Sequence, residues 1–131
     1  MPVRKALPDT NIILRYLLKD DEAQFVSASE LFEAVRGGAR KAVILESVLV
    51  ECMYILVKHY KVPKQTAVES LSGLLHYRGI INSDREQLLT ALAMHSEKKL
   101  DIADCILLAK GNREGYEVCT FDKAPIKAAT R

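Results

Sequence analysis

Val3-Arg4-Lys5-Ala6-Leu7-Pro8-Asp9-Thr10-Asn11-Ile12-Ile13-Leu14-Arg15-Tyr16-Leu17-Leu18 contains the change of pattern that decides the fold. Val3 to Leu7 runs into a proline, which disfavours helical backbone at the residue before it, so the segment reads as extended. Ile12 to Leu18 is an apolar, helix-like stretch, and Asp9-Thr10-Asn11 forms the joint between the two. An extended segment passing directly into a helix predicts an α/β arrangement. It also leaves Asp9 at the carboxyl end of a strand, where open α/β sheets hold their ligands. Taken alone, Asp9 is better explained as a helix N-cap, a position that Asp favours.

The same alternation continues downstream. Asp20 or Asp21 caps a helix running to about Arg36, with Phe25, Ala28, Leu31, Phe32 and Val35 at three-to-four spacing. Gly37 and Gly38 end it. Ala42 to Leu45 is a short apolar run suited to a buried strand, and Ser47 to Tyr60 is again helical. Pro63 sits where the next helix begins, with Val68, Leu71, Leu74 and Leu75 as its apolar stripe. Ile80-Ile81 reads as a brief strand, Asp84 to about Lys99 and Asp101 to about Arg113 as two helices, and Glu117 to Phe121 as extended chain. Gly111 and Gly115 mark the last helix stop. The expectation is an α/β fold with a mainly parallel central sheet covered on its faces.

A length of 131 residues suits one domain, and the absence of repeats or linkers predicts a single unit over residues 1–131. Apolar residues at 49% and charged residues at 27% are globular values and exclude disorder. A formal charge of +2 excludes a strongly cationic polyanion binder. The 3 cysteines, Cys52, Cys105 and Cys119, have no CxxC spacing, which argues against a disulfide framework or a thiolate zinc site. No apolar run approaches a membrane span, and no signal pattern opens the sequence. The expected location is the cytoplasm, with no membrane association.

Chemistry concentrates in the acids. Glu51 lies in Val48-Leu49-Val50-Glu51-Cys52-Met53-Tyr54-Ile55-Leu56-Val57, surrounded by apolar residues. A helix apolar all round is normally buried, and a buried carboxylate needs a cation or a raised pKa. A salt bridge, a helix end reaching solvent and a functional role all remain open for it. Asp122 follows Glu117 to Phe121 as Asp9 follows the first segment; its plainer role is a turn residue. Asp101 and Asp104 share a helical face near an N-terminus, where the dipole favours anions. A capping role accounts well for Asp101 and less well for Asp104. In one cleft Asp9, Glu51, Asp104 and Asp122 would repel each other, and a hard divalent cation, Mg²⁺ or Mn²⁺, resolves that conflict. Such a site can act on a phosphodiester.

Other chemistries have less behind them. His59, His76 and His95 lack HExxH spacing and lie on separate helices, and no GxSxG, GxGxxG or P-loop sequence occurs. Asp20-Asp21-Glu22 looks like a helix start. Lys123, Lys127 and Arg131 near the end suit a phosphate backbone or a solvated tail equally.

With these residues in place the sequence resembles the PIN domain family, and within it the VapC-like toxin ribonucleases of toxin–antitoxin pairs. The resemblance rests on Pro8 to Leu14, Val48 to Leu56, Asp101 to Ala109 and Thr120-Phe121-Asp122-Lys123, in that order. It implies a three-layer α/β/α sandwich and a Mg²⁺- or Mn²⁺-dependent endoribonuclease acting on RNA. It also implies a cognate antitoxin protein and a homodimer. Carried over by position, Asp9, Glu51, Asp104 and Asp122 match the acidic quartet, with Asp9 and Asp104 as principal metal ligands. Thr10, Asn11 and Thr120 match polar residues that support the acids, and Asp101 a companion acid. Pro8 departs from the apolar residue usual before the first acid, and the sequence ends at Arg131 without an obvious closing strand.

Three rivals accompany that expectation. A PIN nuclease in RNA processing would lack a neighbouring antitoxin reading frame. A non-catalytic PIN-like scaffold would bind metal or a partner without cleaving. A receiver-type phosphoacceptor domain also clusters acids at strand ends, but Asp9-Thr10-Asn11 does not supply its adjacent early acids.

Overall fold

A computed structural model describes residues 4–121, which fall into two compact units, one ending at Ser83 and the other starting at Asp84. The first unit carries α1 (Thr10–Leu18), α2 (Glu22–Gly37), α3 (Glu46–Tyr54) and α4 (Lys64–Leu75). A π-helical turn, Ile55–His59, prolongs α3. The second unit carries α5 (Arg85–Glu97) and α6 (Ile102–Glu114).

Three extended segments precede, separate and follow the two helix pairs of the first unit. They meet in parallel at Ala6, Ala42 and Ile80, with Ala42 in the middle. Ala6 N–H donates to Lys41 O at 2.9 Å and Val43 N–H to Ala6 O at 3.0 Å. On the other edge Ala42 N–H donates to Gly79 O at 2.8 Å and Ile81 N–H to Ala42 O at 2.9 Å. Parallel neighbours need crossover connections, and α1–α2 and α3–α4 supply them. The pairing beyond Ala42 passes to a side chain: Ile44 N–H donates to Asn82 Oδ1 at 2.8 Å, and Asn82 Nδ2 donates to Ile44 O at 2.7 Å.

The expected strands are therefore shorter than the sequence suggests. Among the described residues the sheet consists of isolated pairings. Pro8, with no N–H, ends the first segment, and the Asn82 amide replaces backbone in the third. Glu117 to Thr120 forms no strand among the described residues; within its unit it follows two helices, which offer no ladder edge to pair with.

Helix ends follow local chemistry. Asp21 caps α2 by accepting from Gln24 N–H at 3.0 Å, whereas Asp20 binds Arg15 Nη1 through both oxygens at 2.8 Å. Gly38, at φ 89°, closes α2 in the left-handed region that glycine favours. α1 packs on α2 and α3, and α3 on α4. Ile13, Leu14, Phe32, Val35, Leu49, Met53, Leu71 and Leu75 are buried. Tyr16 stacks on Phe32 with centroids 4.8 Å apart and donates to Glu33 Oε2 at 2.7 Å. In the second unit α5 and α6 pack together, and Leu88, Ala91, Leu92, Cys105, Ile106 and Leu108 are buried. Among the described residues no helix is long and apolar enough to cross a membrane.

Gly79 marks the tightest approach in the first unit. A Cβ there would lie 2.0 Å from Arg40 O and 2.7 Å from Val35 O. Gly73, on the exposed side of α4, has nothing within 4 Å of an added Cβ. Gly79→Ala is expected to destabilise by at least about 1–3 kcal/mol through overpacking against backbone. Gly73→Ala should stabilise by roughly 0.5–1 kcal/mol through helix propensity. Urea melts of the two variants check both signs.

Candidate metal-binding site

α1 and α3 start just beyond the carboxyl ends of neighbouring parallel segments, which brings Asp9 and Glu51 to one edge. Asp9 is the N-cap of α1, and its Oδ1 accepts from Ile12 N–H at 3.0 Å. Among the described residues its Oδ2 takes no hydrogen bond. The capping and ligand roles are thus compatible, one oxygen serving each. Thr10 Oγ1 donates to Glu51 Oε1, tying the first residue of α1 to α3.

Glu51 is exposed, which corrects the expectation of a buried carboxylate. α3 and its π-helical extension bury Leu49, Cys52, Met53 and Leu56 as a single stripe at i, i+3, i+4 and i+7. Glu51 lies off that stripe, as does Tyr54, which is 66% exposed. The apolar residues around Glu51 in sequence do not all face the core. Its position is explained by Thr10 rather than by a burial penalty.

Beneath the two acids lies Cys52, whose side chain is inaccessible to solvent. Burial first, then the charges of Glu51 and Asp9, push its thiol up to about 12. Both carboxylates therefore act on one sulfur atom, and that sulfur stays neutral. Neither acid forms an ion pair among the described residues. An oxygen-only donor set with uncompensated negative charge and no available thiolate fits Mg²⁺ or Mn²⁺. Asn11, in the first turn of α1, is exposed and its side chain makes no hydrogen bond among the described residues.

In the second unit Asp104 sits half-buried in the first turn of α6, its carboxylate without a hydrogen bond or ion pair among the described residues. Asp101 holds the N-cap position, but its carboxylate makes no cap hydrogen bond; only its backbone carbonyl accepts, from Cys105 N–H at 3.0 Å. The expected side-chain cap is corrected accordingly. Thr120 is half-buried after α6, and Asp122 lies outside the described residues. Among the described residues no three His, Cys, Asp or Glu side chains form a metal cluster.

The PIN domain family matches residues 6–130, which include the acids of both units. The chain belongs to the PIN domain family. No curated protein and no solved structure matches it. PIN domains are α/β proteins, and in general they are nucleases that require a divalent metal, usually Mg²⁺ or Mn²⁺.

Two features of this PIN domain escaped the sequence reading. The first is a brace in which Arg15 Nη2 donates to Tyr60 Oη at 3.0 Å while Nη1 holds Asp20. The signal available for it was the lone cation in the apolar run Ile12 to Leu18. The second is a cavity of about 650 Å³ lined by Asp9, Asn11 and Arg15 on one side and by Gln24 and Ser27 of α2 on the other. His76 and His95 ring nitrogens meet backbone carbonyls at 2.9 and 2.6 Å, and His59 is exposed.

Asn also caps well, so Asp9→Asn should melt close to the native protein, whereas Asp9→Ala should lose about 1 kcal/mol. Cys52 supplies a pH signature. Its folded pKa lies above the ordinary 9.0, so its contribution to stability is intact below pH 9 and is lost as pH rises towards about 12. Urea melts on either side of pH 9 should show that decline, and Cys52→Ala should flatten it. Thiol alkylation of the native protein should label exposed Cys119 and spare Cys52.

Proposed function

We propose that this PIN domain is a metal-dependent endoribonuclease whose acids, Asp9, Glu51, Asp104 and Asp122, serve one site. In this reading the domain spans residues 1–131 and contains the α/β/α sandwich of its family. The observation that carries it is the pair at the edge of the parallel segments: a capped Asp9 with a free oxygen, and Glu51 held by Thr10. Asp9 and Asp104 would hold Mg²⁺ or Mn²⁺. When bound, the ion supplies Lewis acidity and charge neutralisation at an RNA phosphodiester.

The remaining tasks fall to the chain. The cap bond fixes the Asp9 carboxylate, so little reorganisation is needed when a ligand arrives. Thr10 orients Glu51, which with Asp122 directs the attacking water. Asn11, Asp101 and Thr120 support the acids from the same segments. Asp104, half-buried in the first turn of α6, carries more of the function than Asp101, which is exposed at the N-cap position. The order and spacing of the four acidic motifs support the narrower role of a cytoplasmic, homodimeric VapC-like toxin neutralised by an antitoxin.

Asp9→Asn, Glu51→Gln, Asp104→Asn and Asp122→Asn should each lose RNA cleavage by about a hundredfold or more while remaining folded. Asp101→Asn should keep substantial activity. Cleavage of RNA oligonucleotides with Mn²⁺ or with EDTA, paired with circular dichroism melts, measures this. Activity that survives EDTA, or a fully active Asp104→Asn protein, would sink the assignment. Growth arrest on expression, relieved by the product of an adjacent small reading frame, tests the toxin role.

A further inference from the structure

The cavity beside Asp9 has the size and lining of a ligand site. At about 650 Å³ it falls in the range of small-molecule pockets. Leu7, Pro8, Ile12 and Leu31 give it apolar walls. Asn11, Gln24 and Ser27 bring polar side chains to it that make no hydrogen bond among the described residues. All of these belong to the first unit.

Its charge selects the kind of ligand. Among the described residues the only cation in the lining is Arg15, and both terminal nitrogens of that guanidinium are engaged, with Asp20 at 2.8 Å and Tyr60 at 3.0 Å. Asp9 contributes negative charge to the same cavity. A phosphate is therefore disfavoured, and a flat, neutral, partly apolar group with hydrogen-bonding edges is favoured. Unpaired RNA bases have that character: their faces pack on apolar or planar groups and their edges are read by side chains. A side-chain amide presents one donor and one acceptor together, the pairing that suits adenine.

We propose that this cavity receives an unpaired nucleobase, adenine by preference, from the nucleotide next to the phosphodiester held at Asp9. The proposal rests on the nuclease reading above. An RNA strand engaged at Asp9 necessarily carries a neighbouring base, and Asp9 itself lines the cavity, so that base crosses no other part of the unit to enter. Gln24 and Asn11 read its edge, and Leu7, Ile12 and Leu31 pack against the ring.

The test uses the full chain with Mn²⁺ and oligoribonucleotides differing only at the nucleotide beside the cut: adenine, guanine, cytosine, uracil or abasic. Native protein should cut the adenine substrate roughly tenfold faster than the abasic one. Gln24→Leu, which removes the amide at an exposed helix position, should bring adenine and uracil within about twofold of each other. Ala23→Phe, which fills the cavity, should abolish base dependence while the abasic substrate is cut at the native rate. The same proteins are then titrated, in EDTA, with RNA carrying 2-aminopurine at that nucleotide. Fluorescence quenching should occur with native protein and be lost in Ala23→Phe. Quenching lost in that variant without any cleavage by native protein would uphold the subsite and overturn the nuclease reading. Metal-dependent cleavage with base preference and quenching unchanged in both variants would overturn the subsite, keep the nuclease and leave the cavity to a protein side chain. Neither cleavage nor quenching with native protein would overturn both.

Discussion

Ala42 has hydrogen-bonded neighbours on both edges, and the arrangement of the first unit follows from that. Its two neighbours run parallel to it, so each connection must return to the starting edge through helix. α1–α2 and α3–α4 are those returns. Because the segments share a direction, the chain leaves each of them at one common edge, and α1 and α3 begin there. The pairings themselves are few, and their net contribution is modest because folding exchanges water hydrogen bonds for internal ones. Burial of the helix stripes carries the larger share. The pairings fix direction; the helices supply stability.

Placing Asp9 and Glu51 at that edge sets two like charges above a buried thiol. Burial and those two charges raise the Cys52 pKa further, so the thiol stays neutral even in mildly alkaline solution. The donors at this edge are thus oxygens, which suit a hard rather than a soft metal. Asp9 divides its carboxylate between a structural bond and an open position, so losing the negative charge and losing the cap are separable events. That separation is why a carboxylate at a helix start supports stability and chemistry together.

Much of this was legible in the residues. Capping acids and glycines punctuate α1 and α2, and the apolar stripes of α2 and α4 place their buried faces. Asp9 and Asp104 fall at a helix start and in a first turn as the sequence suggested, and Glu51 falls within a helix. What stayed hidden depends on contacts distant in sequence. Asp20 and Asp21 are equally good caps locally, and Arg15 decides between them by binding Asp20. The segment around Glu51 is apolar on every side, so its periodicity could not show which stripe is buried. The Asn82 amide stands where strand backbone was expected, and no hydropathy pattern signals an amide acting as a strand. Asp101 has the right residue type for a cap, but the conformation of its side chain leaves the bond unmade.

The brace around Arg15 explains how Asp9 keeps its free oxygen. Arg15 lines the same cavity as Asp9, and an unengaged guanidinium there would be drawn to that carboxylate as an internal counter-ion. Asp20 meets the guanidinium through both oxygens of its carboxylate, and Tyr60 takes the other terminal nitrogen. Tyr60 follows directly on the π-helical turn, where its N–H reaches back to Ile55 O at 3.1 Å, one residue further than in an α-helix. That wider turn rotates the following chain relative to a regular helix and presents the Tyr60 hydroxyl to α1. The turn after α3 and the cap-competent acid after α1 thus converge on one cation. With Arg15 so occupied, the negative charge at Asp9 is left for a ligand from outside the chain.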